Sequence, residues 1–582
     1  MTFSQVEEQA ILFASGLIAL GSQPGQETFI GIFSQNRPEW VIVDVACMYY
    51  SMISVPFYNT VDIKGCDRII SQTNMETIVC DTLEKAERLR LEHSALRSLK
   101  TVIVMDLPIE GLGEQKAMFE AEGLKLMSFD DVVTCGTKNI VDRVLPKPET
   151  VCTLIYTSGT TGVPKGVPHT HKGLIATHAY AWQIASMDIV PNHNDTVISY
   201  LPLPHVYERT NLQSCMMAGT QVGFFQGDPL KLLDDIQTLR PSMLATVPRV
   251  LNRLYDRVMS NVNAANLPKR ALFHHALKQK LKMIDSGDNR TDTIWDKLVF
   301  NKIRSLLGGR IQFVCSAAAP LSPDTAQFIR AAMSPNYLEA YGQTEAPLIC
   351  HSLTHDHTSG HVGIPGGDVQ IKLIDVPELD YYSKDDQGEV CVKGSHIFSG
   401  YYKDPELTSQ VLQDGWVKTG DIGRWNKRGS LSIIDRKKDI FKLSQGVYIA
   451  PERIENVYLR EPLVAQAFVT GDTTKNSLVG IMVPDQEELE KFAKNHKIPG
   501  CFEELCQNER VKEVIFSRVM KHGKAEGLAG FEQVKGIHIH SEPFTEDAGL
   551  LTPTLKSKRN VMKQIFAEEI DEMYSEIDQG SK

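Results

Sequence analysis

The stretch VCTLIYTSGTTGVPKG (151–166) decides the fold. Its first seven residues, VCTLIYT, are mostly apolar or β-branched and read as a buried strand. After them come three glycines (Gly159, Gly162, Gly166), the hydroxyls of Thr157, Ser158, Thr160 and Thr161, and one cation, Lys165. Glycine lets a backbone approach a ligand, hydroxyls donate hydrogen bonds to anionic oxygens, and lysine adds charge. A strand that runs into this loop therefore reads as an anion nest. It is not a Walker A loop, which needs Gly directly before Lys and Ser or Thr directly after. Pro164 and Gly166 hold those places. The competing reading is a plain Gly/Thr turn, and the density of donors beside a lysine argues against it.

Outward from this stretch the same rhythm repeats. DTVISYLPL (195–203), MLATVP (243–248) and IQFVCS (311–316) read as buried strands, each ahead of a turn or a helical pattern. That alternation predicts α/β layers. ILFASGLIAL (11–20) has the spacing of an amphipathic helix on the core and is too short to span a bilayer. It follows Glu7 and Glu8, without the basic start of a signal peptide. Polar stretches at 107–123 and 286–293 are expected to be surface loops. Near residue 435 the pattern changes. GEVCVKG (388–394) and SLSIID (430–435) are β-like, and the charged string DRKKD (435–439) reads as a hinge. Beyond it lie strands QAFVTGD (466–472) and SLVGIMVPD (477–485), the helix QEELEKFAKNH (486–496), and a long amphipathic helix expected over 556–577. The expected architecture is a large, multi-subdomain α/β domain over 1–436 and a small, mobile α+β domain over 437–582. A cleft between such domains is a natural place for a ligand.

Bulk properties exclude other classes. A chain of 582 residues exceeds a single ordinary core. With 42% hydrophobic and 23% charged residues it is globular. The 61 basic and 72 acidic residues give a net charge of −11, so no global basic field points to nucleic acid. The eleven cysteines form no CxxC pair, which argues against a metal cluster or a disulfide framework. The last residues, Gln579 to Lys582, are not an SKL ending.

The loop at 156–166 resembles that of the adenylate-forming enzymes, which include acyl-CoA synthetases, luciferases and peptide-synthetase adenylation domains. SYLPLPHVYER (199–209), GFFQGD (223–228), YGQTE (341–345), DGWVKTGDIGRW (414–425), DRKKDIFKLSQGVYIAPERIENVY (435–458) and LLTPTLKSKRN (550–560) resemble the long-chain acyl-CoA synthetases in particular, end to end and in order. The resemblance implies an adenylate-forming domain with a small C-terminal domain on a hinge. It also implies activation of a long-chain fatty acid by ATP and Mg2+, with transfer of the acyl group from an acyl-adenylate to coenzyme A.

The same resemblance assigns roles to single residues. Tyr341 would flank adenine, beside Gly342. Thr344 would meet the α-phosphate. Glu345 would ligate Mg2+ with help from Thr157. Ala317, Ala318 and Ala319 in CSAAAPLS (315–322) would border the adenine pocket, although tight packing explains any single alanine nearly as well. Asp421 in TGD (419–421), which is expected to end a β-like segment, would hold the ribose hydroxyls, and Arg436 would make a second ribose or phosphate contact. Thr157, Ser158, Gly159, Thr160, Thr161, Gly162 and Lys165 would hold the phosphates. His205 would lie near the acyl carboxylate, against the reading that a lone histidine is structural. Lys442 and Gly446 would serve the nucleotide and coenzyme A, Gly446 by letting the coenzyme arm approach. A lysine near the C-terminus would enter the cleft for adenylation. Lys556 is the expected one, with Lys558 a turn away as its alternative.

Lys438 and Asp439 would lie at the hinge. The small domain would rotate between the half-reactions. Peripheral membrane contact is expected, at the endoplasmic reticulum, outer mitochondrial membrane or peroxisome. TFSQVEEQA (2–10) resembles an internal helix of the family, so the usual anchor and part of the first domain are expected to be missing. Two departures stand out: Val447 and Lys418 occupy places where the family usually carries Glu and His. The rival readings are a luciferase-like or aryl-CoA ligase, a non-catalytic lipid- or nucleotide-binding relative, and a phosphotransferase, which would release ADP instead of AMP.

Overall fold

The computed structural model describes residues 1–580 except 93–95, 109–111, 159–163, 187–190, 335, 473 and 553–555. The chain divides into two compact units. One comprises 1–370 with 392–417, and the other 371–391 with 418–582.

The first unit holds two seven-stranded sheets. In one, the strands run in the order Lys125–Ser128, Thr101–Asp106, Thr77–Thr82, Phe29–Phe33, Ile53–Pro56, Val151–Ser158 and Pro164–Thr170. All pairs are parallel except the last, where the strand returning from the anion loop pairs antiparallel to Val151–Ser158. The helix Phe3–Ala19 starts from a Thr2–Gln5 capping box and buries Ala10, Phe13, Ala14 and Leu17, as an apolar stripe dictates. The other sheet orders Ile364–Pro365, Ala346–His351, Tyr337–Gln343, Phe313–Ala317, Met243–Thr246, Thr196–Ser199 and Gln221–Phe224. Its inner strands are parallel, and Ala346–His351 folds back antiparallel on Tyr337–Gln343. Buried runs such as Leu244, Val314 and Leu338 reflect parallel strands covered on both faces.

In the second unit, Gln387–Lys393 and Leu431–Arg436 flank the long strand Trp416–Trp425. A three-stranded sheet of Val464–Gly471, Leu478–Pro484 and Val534–Ile539 carries the C-terminal core, with Leu489, Val511, Ile515 and Val519 packed on it.

The α/β reading and the helix at Gln486–His496 agree with the structure. Three expectations are corrected. Residues 107–123 are not all loop: Leu112–Ala121 is a helix, anchored by the buried Phe119. The C-terminal helix is two helices, Arg559–Ile565 and Ala567–Gly580, because Phe566 turns inward and is buried. The strand carrying Thr-Gly-Asp does not end there but continues to Trp425, because its pairing with Leu431–Arg436 runs on past Asp421. The division by compactness groups Lys418–Arg436 with the C-terminal residues, whereas the sequence places a pivot after Arg436. A pivot concerns movement, and it remains a proposal.

Candidate active site

In the first unit the strands on either side of the anion motif, Val151–Ser158 and Pro164–Thr170, pair antiparallel. Thr157 stands opposite Lys165, and Ser158 opposite Pro164. Cross-strand pairing thus puts a hydroxyl residue beside the lysine at the loop's base. Gly159, Thr160, Thr161 and Gly162 lie outside the described residues. Glu345 sits in the turn between Tyr337–Gln343 and Ala346–His351. Gly342 is required just before it: a Cβ there would lie 2.2 Å from the Pro347 carbonyl oxygen. Tyr341 is half-buried and Thr344 buried in the same hairpin. Ala317 ends the neighbouring strand, paired with Ala340, while Ala318 takes a left-handed φ of 76° and Ala319 is exposed. A non-glycine residue in that region stores strain of the kind found at ligand sites.

One residue that the motifs did not reveal links these pieces. The Tyr401 hydroxyl donates to Glu345 Oε1 at 2.6 Å, and Lys165 Nζ lies 5.6 Å from the centre of the Tyr401 ring. Burial pushes the Tyr401 phenol far above its ordinary pKa, and the Glu345 carboxylate adds to this, so the hydroxyl stays a donor. A cavity of about 250 Å³ opens beside it, lined by Arg68, Gln72, Lys165, Tyr401, Tyr402 and Asp404 among others. The only sequence signal for Tyr401 is a pair of tyrosines after Gly400.

His205 begins the helix Val206–Met217 as its N-cap, with Nδ1 accepting from Tyr207 N–H at 3.2 Å. That bond leaves the ring proton of neutral His205 on Nε2. A structural duty is thus met by Nδ1. Beneath this helix lies a buried pair of Arg209 and Asp44.

The second unit gathers the ribose and lysine candidates. Asp421 is buried and stands opposite Arg436 in the sheet, with Arg436 Nε 3.7 Å from its carboxylate. Thr419 Oγ1 fixes the approach, donating to Val390 O at 2.8 Å and accepting from Asp421 N–H at 3.1 Å. Lys556 is half-buried in a tight turn, where its N–H donates to Thr552 Oγ1 at 3.0 Å and its carbonyl accepts from Thr552 N–H at 2.8 Å. Burial lowers the Lys556 pKa and the positive charge of Arg436 lowers it further, while Glu452, Asp421 and Asp439 act the other way. The Asp421 carboxylate thus acts on the Lys556 ammonium through space. Lys558 instead exerts its charge on Glu546. Arg559 holds the segment in place, donating to Glu455 Oε1 at 2.6 Å and Val469 O at 3.0 Å. Burial raises Asp435 to about 8, and the Glu452 carboxylate adds to the shift. Lys438 is exposed.

Lys442 and Gly446 belong to a small hairpin. Lys442 Nζ donates to the Tyr448 hydroxyl at 3.2 Å, and Gly446 takes φ of +88° in the turn, where a side chain would be strained.

The groups in the first unit suit a hard cation and phosphates: carboxylate and hydroxyl oxygens, and an ammonium. Among the described residues no group of three or more His, Cys, Asp or Glu could hold a metal by itself. A magnesium ion takes one or two carboxylates and completes its shell with water and substrate phosphates.

Comparisons with known proteins agree. Residues 1–402 match the family described as AMP-binding enzyme. The chain is 44% identical over 585 residues to rat long-chain-fatty-acid–CoA ligase 5, covering 100% of this chain and 85% of the relative. It is 43% identical to human long-chain-fatty-acid–CoA ligase 6, over 99% of this chain and 82% of that one. The Arabidopsis thaliana peroxisomal long chain acyl-CoA synthetase 6 is 42% identical over 99% of this chain and 82% of its own. Among solved structures, the adenylation domain of a Mycobacterium chelonae carboxylate reductase superposes with a TM-score of 0.82 at 25% identity, covering 99% of this chain and 84% of that one.

Proposed function

The chain belongs to the AMP-binding enzyme family, among its long-chain fatty-acid–CoA ligases, and from that premise we propose how its own residues perform the reaction. It is an ATP-dependent ligase. Fatty acid, ATP and coenzyme A give acyl-CoA, AMP and pyrophosphate through an acyl-adenylate.

The observation that carries the division of roles is the link from Lys165 through Tyr401 to Glu345, with Thr157 opposite Lys165 in the sheet. Glu345 and Thr157 hold Mg2+, which supplies charge neutralisation at the phosphates when bound. Lys165 and the loop it closes bind the triphosphate. Tyr341, Gly342, Ala317 and Ala318 receive the adenine, and Thr344 the α-phosphate. Asp421 accepts from the ribose hydroxyls, and Arg436, its cross-strand partner, adds a donor. The fatty carboxylate attacks the α-phosphorus and pyrophosphate leaves. No enzyme nucleophile is required. Catalysis is positioning and charge stabilisation, to which Lys556 brings an ammonium that burial has stripped of water. The coenzyme A thiol then attacks the acyl carbonyl and AMP leaves, with Gly446 giving the coenzyme room. His205 orients the acyl carboxylate. The pivot after Arg436 lets the C-terminal residues serve the two steps in turn.

The acyl chain binds by burial at ~0.8 kcal/mol per CH2. A substrate of that kind dissolves in bilayers, so we place the enzyme in peripheral contact with a cytosol-facing membrane of the endoplasmic reticulum, mitochondrion or peroxisome. Among the described residues no helix is long and apolar enough to cross a membrane. The test of the whole reading is product analysis with palmitate, Mg-ATP and coenzyme A. AMP and palmitoyl-CoA in equal amounts are expected, and ADP as the nucleotide product would overturn it.

A further inference from the structure

Tyr401 lies in a stretch, 394–404, that is neither helix nor strand, yet this stretch is fixed from several sides. Phe398 N–H donates to Glu345 O at 3.0 Å, and Tyr402 N–H donates to Gly166 O at 2.8 Å. Tyr401 N–H donates to Thr408 Oγ1 at 2.9 Å, and Gln72 Nε2 donates to Tyr402 O at 2.9 Å. The Phe398 ring meets the Tyr401 ring edge-on, at 4.9 Å between centres. The backbone thus ties the strand leaving the phosphate loop to the turn that carries Glu345. The Tyr401 side chain repeats that link: its hydroxyl reaches Glu345 Oε1, and its ring face lies against Lys165.

A carboxylate that accepts a short bond on one oxygen has its torsion set, and its other oxygen is left to a cation. A lysine held near an aromatic face loses part of its rotamer freedom before ligand arrives. We infer that Tyr401 is the positioning residue for Mg-ATP in this enzyme, aiming the Glu345 carboxylate with its hydroxyl and the Lys165 ammonium with its ring. The inference rests on Glu345 being the metal ligand. Groups that orient a metal ligand typically change metal affinity by roughly 10–100-fold.

The experiment is equilibrium ATP binding by calorimetry on the full chain, without fatty acid or coenzyme A, over a series of Mg2+ concentrations. Variants are Tyr401→Phe, Tyr401→Leu and Glu345→Gln. Tyr401→Phe keeps the ring and removes the hydroxyl. It should raise the Mg2+ needed for half-maximal ATP affinity by roughly tenfold and leave metal-free ATP binding as it was. Tyr401→Leu should weaken metal-free ATP binding as well, because Lys165 loses its platform. A purely structural role would instead weaken ATP at every Mg2+ concentration alike in Tyr401→Phe and lower its melting temperature. That result overturns the proposal. If Glu345→Gln shifts the Mg2+ requirement and Tyr401→Phe does not, the positioning role fails while the metal assignment stands. If neither shifts it, the metal assignment itself has failed and the inference falls with it.

Discussion

Replacing Lys556 by alanine separates the two half-reactions. Arg436 and Lys438 repel the Lys556 ammonium, while Asp421, Asp439 and Glu452 attract it. Alanine removes one positive charge from this cluster, the charge that the proposed mechanism assigns to the α-phosphate in adenylation. One unit charge at about 5 Å, with an effective dielectric near 20, is worth about 3 kcal/mol. That corresponds to a loss of roughly 10²–10³ in adenylation, the range found when one preorganised donor is removed. Stability should move the other way. The Lys556 pKa is depressed, so at pH 7 the folded state bears the cost of the buried ammonium, and the variant should melt no lower than the parent. The assay is single-turnover pyrophosphate release with palmitate and Mg-ATP, beside acyl transfer from supplied palmitoyl-adenylate to coenzyme A. Lys558→Ala is the control, since Lys558 faces Glu546. Equal loss in both half-reactions, or an equal effect from Lys558→Ala, would refute the reasoning.

Two buried histidines of the first unit each favour unfolding in acid. Burial, aided by the Arg209 charge, lowers the buried His169 from 6.5 to about 3, and burial likewise takes His178 to about 4. Above pH 6.5 both states are neutral at these sites and stability is unaffected. Below it the unfolded chain binds the protons first, so stability falls as pH drops, by up to about 1.4 kcal/mol per pH unit for each histidine. Because Glu208 and Glu339, pushed up by burial to about 8 and about 7, act in the opposite sense, the test is comparative: between pH 7 and 4.5 the acid loss in melting temperature should be smaller in His169→Gln than in the parent, and identical profiles would contradict the assignment. Gly342→Ala should cost about 1–3 kcal/mol and weaken ATP binding, since its Cβ meets a backbone oxygen that a rotamer change cannot move. Unaltered melting and ATP affinity would show that the turn yields.

Some of this was legible because the chemistry is local. Val151–Ser158 alternates nothing and buries on both faces, so its apolar run reads as a parallel-sheet strand wherever it sits. The glycines, hydroxyls and lysine that follow carry their meaning within eleven residues. The helix Gln486–His496 has its Asp485 cap and its stripe in one window. The helix Leu112–Ala121 was missed because its moment is weak and a single buried phenylalanine anchors it. The break at Phe566 was missed because the side chains it packs against lie far off in sequence: Phe544 and His540.

The sequence by itself therefore determined the layered α/β class, the anion loop and the residue types a ligase of this family needs. Only tertiary structure decided which of them meet. It set Thr157 against Lys165 by strand register, and Asp421 against Arg436 by another. It brought Lys556 among three carboxylates from separate segments, and it used Tyr401, a residue without periodic context, to join Glu345 to Lys165. The reason is physical. Propensity and patterning act over a few residues, whereas a site is built from contacts between strands and turns hundreds of residues apart, which only the packed chain brings within bonding distance.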